Sequence, residues 1–240
     1  MELKFSTERI KFAELLGILL SDGWVYYKFS SRTYKIGVTN KSDFMHSKFK
    51  RLCHDLFDVE NFVNDKSQGG IRATFFRSKS AAMQILSIVN SVKTENYRGC
   101  NGKCCYKCDP VTINGVSYTR IKLPQFLCRD KKAASAFLRA LYSGDGSVLL
   151  GWRKGKLKPK IAREIALHCC HPILLKQLSN LHKFLGFKTF SVTKERISIF
   201  RKSEILKFSK AVGFWPIEVT GFWKGKTKPE VLKMLVEASH

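Results

Sequence analysis

Acidic residues are scarce in this chain. Nineteen Asp and Glu stand against forty-three Lys and Arg in 240 residues, which leaves a formal charge of +24. No run of 18 or more apolar residues occurs, so no transmembrane helix is expected. The opening stretch, MELKFSTERIKF, has neither an apolar h-region nor a small-residue cleavage site, which argues against secretion. Neither a lipidation motif nor a basic amphipathic helix is present to direct the charge to a membrane. Apolar residues make up 44%, too many for a disordered chain and enough for a sizeable core. The expectation is a soluble protein of a prokaryotic cytoplasm or an organelle, attracted to a polyanion.

The basic residues are not gathered in a tail. They alternate with aromatics in strand-like runs: Tyr26-Tyr27-Lys28-Phe29, Arg72-Ala73-Thr74-Phe75-Phe76-Arg77 and Arg196-Ile197-Ser198-Ile199-Phe200-Arg201. A folded basic surface of this kind favours nucleic acid over a merely solubilising exterior. Half of the eight cysteines fall together, at Cys100, Cys104, Cys105 and Cys108. Without a secretion signal such a cluster favours metal over disulfides, yet four ligands this close fit no common two-knuckle zinc pattern. Disulfide, structural zinc and free thiols all remain open, with zinc not favoured.

The order of elements repeats. Ser6-Thr7-Glu8 can start a helix that runs through Phe12–Leu20 and stops at Asp22-Gly23, with Gly23 suited to a helix C-terminus. Two strands (about 24–29 and 34–39), a helix (42–57), two strands (60–65 and 71–76) and a helix (78–92) follow. Residues 94–128 break the rhythm as a Cys-rich linker with one hairpin-like run near Val111–Lys122. Asp130 can then cap a helix ending at Asp145-Gly146, and the same series returns to about residue 213. A final helix near Lys228–Ala238 has no counterpart. The expected organisation is residues 1–93 and 129–213 as two repeats, 94–128 as linker and 214–240 as extension. The fold class is α+β.

Duplication extends to residues. Leu15-Leu16-Gly17-Ile18-Leu19-Leu20-Ser21-Asp22-Gly23 aligns with Leu138-Arg139-Ala140-Leu141-Tyr142-Ser143-Gly144-Asp145-Gly146, and Arg72–Arg77 aligns with Arg196–Arg201 at nearly the same spacing. Glycine within a helix costs about 1 kcal/mol relative to alanine. Gly17 and Ala140 therefore point to two helices in close contact. Parallel packing would bring Asp22 and Asp145 out together at one end. Two carboxylates held close repel each other, and Mg²⁺ or Mn²⁺ relieves that repulsion while activating water at a phosphodiester. A lone Asp-Gly is ordinarily just a helix stop; the paired motif in a basic chain is what favours a nuclease.

The two nonapeptides resemble the signature of LAGLIDADG homing endonucleases, with Gly17, Asp22 and Gly23 matching in the first copy and Leu138, Asp145 and Gly146 in the second. The resemblance covers both repeats and implies two αββαββα units, with the signature helices at the centre and antiparallel strands forming a saddle over the DNA major groove. It implies metal ligation by Asp22 and Asp145, with Ser21 and Gly144 beside them. It further implies that Asn40 and Lys41 approach the scissile phosphate and its water. The matching stretch of the second half, His168-Cys169-Cys170-His171, has no lysine, and His171 is expected to be structural at a helix start.

DNA contacts are expected from Lys28, Arg32, Tyr34, Lys35, Arg72 and Arg77 in the first half. In the second they are expected from Arg153, Lys154, Lys160, Arg163, Lys188, Lys194, Arg196 and Arg201. A duplicated chain would read a pseudo-palindromic, double-stranded site as a monomer. The alternatives are a maturase that binds intron RNA and a non-cleaving DNA-binding regulator of the same fold. The ends carry no splicing Cys or Ser and no terminal His-Asn, so a standalone intron-encoded protein is expected rather than an intein.

Overall fold

Every residue from Phe12 to Leu20 is buried, Glu14 included, so this stretch of α1 (Ser6–Ser21) is enclosed on all sides. A helix apolar around its whole circumference has to lie in a core. The one acid within this stretch, Glu14, is paired with Lys48 at 2.6 Å. The computed structural model describes residues 6–28, 32–66, 70–92, 110–153 and 160–238.

After α1 come β1 (Gly23–Lys28), β2 (Thr33–Asn40), α2 (Asp43–Phe57), β3 (Val63–Lys66), β4 (Arg72–Arg77) and α3 (Lys79–Val89). A short hairpin, β5 (Val111–Ile113) and β6 (Val116–Tyr118), leads to α4 (Lys131–Asp145). Its Asn114-Gly115 turn has positive φ at both residues, 50° and 76°, the conformation that suits a tight hairpin. The series then returns as β7 (Gly146–Arg153), β8 (Lys160–His168), α5 (Pro172–Phe184), β9 (Ser191–Val192), β10 (Arg196–Ile199) and α6 (Lys202–Ala211). It ends with α7 (Lys228–Glu237). Both four-stranded sheets are antiparallel, in orders β1-β2-β4-β3 and β7-β8-β10-β9. This is the αββαββα duplication expected from the sequence. No described helix is long and apolar enough to cross a membrane.

Local chemistry sets the boundaries. Ser42 and Ser78 accept hydrogen bonds from Met45 N and Ala81 N to open α2 and α3, and Asp130 accepts from Lys132 N and Ala133 N to open α4. His171 caps α5 through Nδ1 and donates from Nε2 to Thr119 O at 2.7 Å. Gln177 binds Leu123 N and Ile121 O, so α5 holds the chain that enters the second repeat.

The two repeats meet along α1 and α4. A Cβ at Gly17 would lie 2.5 Å from Ala140 Cβ and 2.6 Å from Phe137 O, leaving no room for another carbon. The glycines after the aspartates stand at the C-terminal ends of their helices, as expected of Gly23. Neither Gly23 nor Gly146 has positive φ. A Cβ at Gly23 would meet Leu19 Cα at 2.5 Å, and one at Gly146 would meet Tyr142 O at 2.3 Å. Each strand turns directly off its helix, and only a hydrogen fits inside the bend.

Gly17→Ala is expected to destabilise the protein despite alanine's better helix propensity, because the obstacle at Phe137 is backbone. Overpacking of this kind costs about 1–3 kcal/mol, a fall in Tm of roughly 3–10 °C. An unchanged or higher Tm in thermal denaturation would show that the seam opens at no cost.

Candidate metal and nucleic-acid site

Because β1 and β7 leave their helices without a loop, Asp22 and Asp145 stand at the same end of the seam. A Cβ on Gly144 would come within 2.6 Å of Asp22 Oδ2 and 2.3 Å of Ser21 Oγ, so the first carboxylate lies on the bare backbone of the other helix. Desolvation raises the Asp22 carboxyl above its ordinary range, against the opposing effects of a hydrogen bond from Asn40 and the charges of Lys228 and His46. Burial, and then repulsion from Asp22, push Asp145 up to about 7, with Lys228 again opposing. Asp22 Oδ2 is buried and accepts no hydrogen bond.

An orphaned carboxylate oxygen beside a second strained acid is a fitting place for a divalent cation, which would hold both acids in their ionised form. No group of three or more His, Cys, Asp or Glu side chains suited to a metal occurs among the described residues. A cation on Asp22 and Asp145 would therefore complete its shell with water and phosphate oxygens, as Mg²⁺ commonly does. The expected neighbours are present but engaged. Ser21 Oγ donates back to Gly17 O and Ile18 O, and Gly144 O accepts from Lys228 Nζ at 3.2 Å.

Register places Asn40 and its counterpart. Gly23 pairs with Val38 and Gly146 with Leu167, so Asn40 corresponds to Cys169 and Lys41 to Cys170. Thr39 N donates to Asp22 O at 2.9 Å, and Asn40 Oδ1 accepts from Ser42 N at 2.7 Å. These bonds fix the strand end against the first acid. Lys41 is exposed just beyond it. Cys169 has a thiol pushed up to about 11, chiefly by burial, with Asp145 contributing. The two halves of the site are thus chemically unequal. Two buried groups escaped the sequence reading. His46 donates from Nε2 to Asn40 O at 2.9 Å, and Lys228 reaches the end of α4 from the extension.

The outer sheet faces are unequal too. In the first sheet Trp24, Gly37 and Phe75 are in register, the indole lying over Gly37 with Nε1 donating to Thr39 Oγ1 at 3.0 Å. Ser147, Ala166 and Ser198 occupy the matching places in the second. Lys35 lies over the Phe75 ring at 5.0 Å. Together with Arg32, Arg77 and Lys79 it lines an open cavity of about 860 Å³. On the outer face of the second sheet Arg196 pairs with Glu164 at 3.0 Å, while Lys194 is exposed in the turn before it. Arg201 reaches Thr189 from the start of α6, and Lys188 lies in the loop before β9 rather than on a strand.

Three expected groove residues face the other way. Tyr34 alternates with buried Ile36 and Val38 and stacks on Tyr27, though it borders the same cavity, with Lys79 Nζ 6.0 Å from its ring. Arg72 shares the face of buried Thr74 and Phe76 and is tied to Asp43 at the start of α2. Arg163 shares the face of Ile165 and Leu167. Strand alternation has period two, so a reading one place out exchanges the sides. The side chains of Lys28, Arg153 and Lys160 are not among those described, and Lys154, Cys100, Cys104, Cys105 and Cys108 lie outside the described residues. The four described cysteines, Cys53, Cys128, Cys169 and Cys170, are free thiols.

No protein-family profile and no curated sequence matches the chain. Solved structures do match it. I-DmoI in complex with DNA and Mn aligns over 86% of this chain and 97% of its own, at 15% identity and a TM-score of 0.53. The meganuclease I-SmaMI bound to uncleaveable DNA aligns over 94% and 89%, at 14% identity and a TM-score of 0.55. A mesophilic variant of "the homing endonuclease I-DmoI" aligns over 87% and 92%, at 16% identity. The chain therefore has the LAGLIDADG homing endonuclease fold that its paired nonapeptides imply.

The raised acids give a signed pH dependence. Asp145 is near 3.8 when unfolded and about 7 when folded, so its neutral form stabilises the metal-free protein and that contribution is lost as pH rises from about 4 through 7. Mg²⁺ competes with these protons, so its increment in Tm should be negligible near pH 5 and grow through about pH 7 to 8. An increment independent of pH would show that Mg²⁺ binds elsewhere.

Proposed function

We propose that the chain is a metal-dependent, site-specific endonuclease that cuts both strands of a long double-stranded DNA site. The observation that carries this reading is the meeting of two buried acids, one from each repeat, at a seam flanked by basic sheets in a chain of net charge +24. Structures of the same fold were solved with DNA and with Mn or Mg, which supports the reading at the level of the fold.

Asp22 and Asp145 would hold Mg²⁺ or Mn²⁺, and a bound cation supplies an activated water and stabilises the leaving oxygen of the phosphodiester. Asn40 holds Asp22 in place, and Lys41 is the exposed cation at the same strand end, suited to the scissile phosphate. The outer-facing Lys35, Arg77 and Arg196, with Arg32 and Lys194 at the strand ends, would contact phosphates and base edges. Apolar Trp24 and Phe75 in one sheet, opposite small Ser147 and Ser198 in the other, make the two half-sites different. A monomer carrying both repeats would read such a site without a partner.

Selection of cleavable sites from a randomised DNA library with Mg²⁺ tests the proposal. Asp22→Asn and Asp145→Asn should each lower cleavage of the selected site by on the order of 10³-fold while leaving its binding nearly intact. Tight binding without cutting in either Mg²⁺ or Mn²⁺ would overturn the nuclease reading.

A further inference from the structure

Lys228 is the first residue of α7, where a positive charge opposes the helix's own dipole. Its placement there serves another helix. Thr227 and Glu230 form a capping box that fixes the start of α7, and Lys228 N donates to Ile217 O at 2.8 Å. The side chain is 7% exposed. Its ammonium lies 3.2 Å from Tyr142 O, 2.6 Å from Ser143 O, 3.2 Å from Gly144 O and 2.7 Å from Gly146 O. The last carbonyls of a helix have no partner within it. Ser143 O and Gly144 O belong to the final turn of α4, flanked by Tyr142 O, which also accepts from Gly146 N, and by Gly146 O at the start of β7. They also bracket Asp145.

The first repeat solves the same problem differently. There the carbonyl of Asp22 accepts from Thr39 N, and Asn40 bonds the carboxylate, so strand β2 holds the acid. In the second repeat Cys169 stands where Asn40 would be, and a thiol is a weak donor. The support for the second acid comes from outside the repeat.

We infer that Lys228 is the positioning residue for Asp145, and that the C-terminal extension is thereby part of the reaction centre. It fixes the turn from α4 into β7, and so the place from which the second carboxylate faces the first. The consequence for cleavage rests on the endonuclease reading; the consequence for the Asp145 turn does not.

Native-state hydrogen exchange of the full, metal-free chain tests the positioning directly. In Lys228→Met and in the milder Lys228→Gln, the amides of Asp145 and Gly146 should exchange about tenfold faster or more. Those of Asp22 and Gly23, at the equivalent bend of the first repeat, should stay within about threefold of the parent. Val231→Ala, which loosens the packing of α7 and keeps the ammonium, should not produce this local difference. Equal acceleration at both bends, or none at either, would overturn the inference. On the selected DNA site, Lys228→Gln should raise the Mg²⁺ concentration needed for half-maximal cutting of both strands by about tenfold or more, because the two acids would share one cation. An unchanged Mg²⁺ requirement would overturn the link to the reaction centre. A parent protein that cuts no site would overturn the endonuclease reading and leave the exchange result to decide the positioning role.

Discussion

Two helix backbones lie so close that neither side of their contact has room for another carbon, and the rest of the molecule is arranged around that contact. Gly17 on α1 faces Ala140 and the Phe137 carbonyl of α4, and Gly144 on α4 faces Ser21 and the Asp22 carboxylate. Close approach joins the repeats through one core and orients their sheets about a common seam. It also brings two aspartates to one end, where burial raises both carboxyls and repulsion from Asp22 raises Asp145 further. The packing that stabilises the fold is thus also what strains the acids.

The charge distribution follows from that arrangement. A net charge of +24 is spread over both repeats, while the acids that would bind a cation are concentrated at the seam. Polyanion and metal would therefore be drawn to one region by opposite local charges. The pseudo-symmetry stops at the detailed chemistry. Asn40 has Cys169 as its counterpart, Trp24 has Ser147 and Phe75 has Ser198. Lys228 at the end of α4 comes from a helix outside the duplication.

The parts legible in the sequence were those written twice. Duplication marked the nonapeptides, the αββαββα order and the paired acids, because agreement between two segments separates a signal from an ordinary helix stop. Capping by Asp130 and the role of His171 at a helix start were readable from local chemistry alone. Which side of a strand a residue faces was not. Tyr34, Arg72 and Arg163 look like neighbours of groove-facing residues, and their true side depends on a register set by pairing with β1, β4 and β10. Lys228 was illegible for a further reason. A lysine beside a proline at a helix start ordinarily points to solvent, and its partners lie more than eighty residues earlier in the chain. Gly23 is readable as a helix C-terminal glycine, but the crowding that leaves room only for hydrogen at Gly23 and Gly146 depends on how each strand folds back on its helix.

On the function proposed, Asp22 and Asp145 would form one cation site rather than two independent ones. A calorimetric double-mutant cycle of Mn²⁺ binding, using Asp22→Asn, Asp145→Asn and the double variant, tests it most directly. A shared site predicts that either single change removes nearly all of the binding and that the double change removes no more. Losses that simply add, with each single variant keeping part of the affinity, would contradict it.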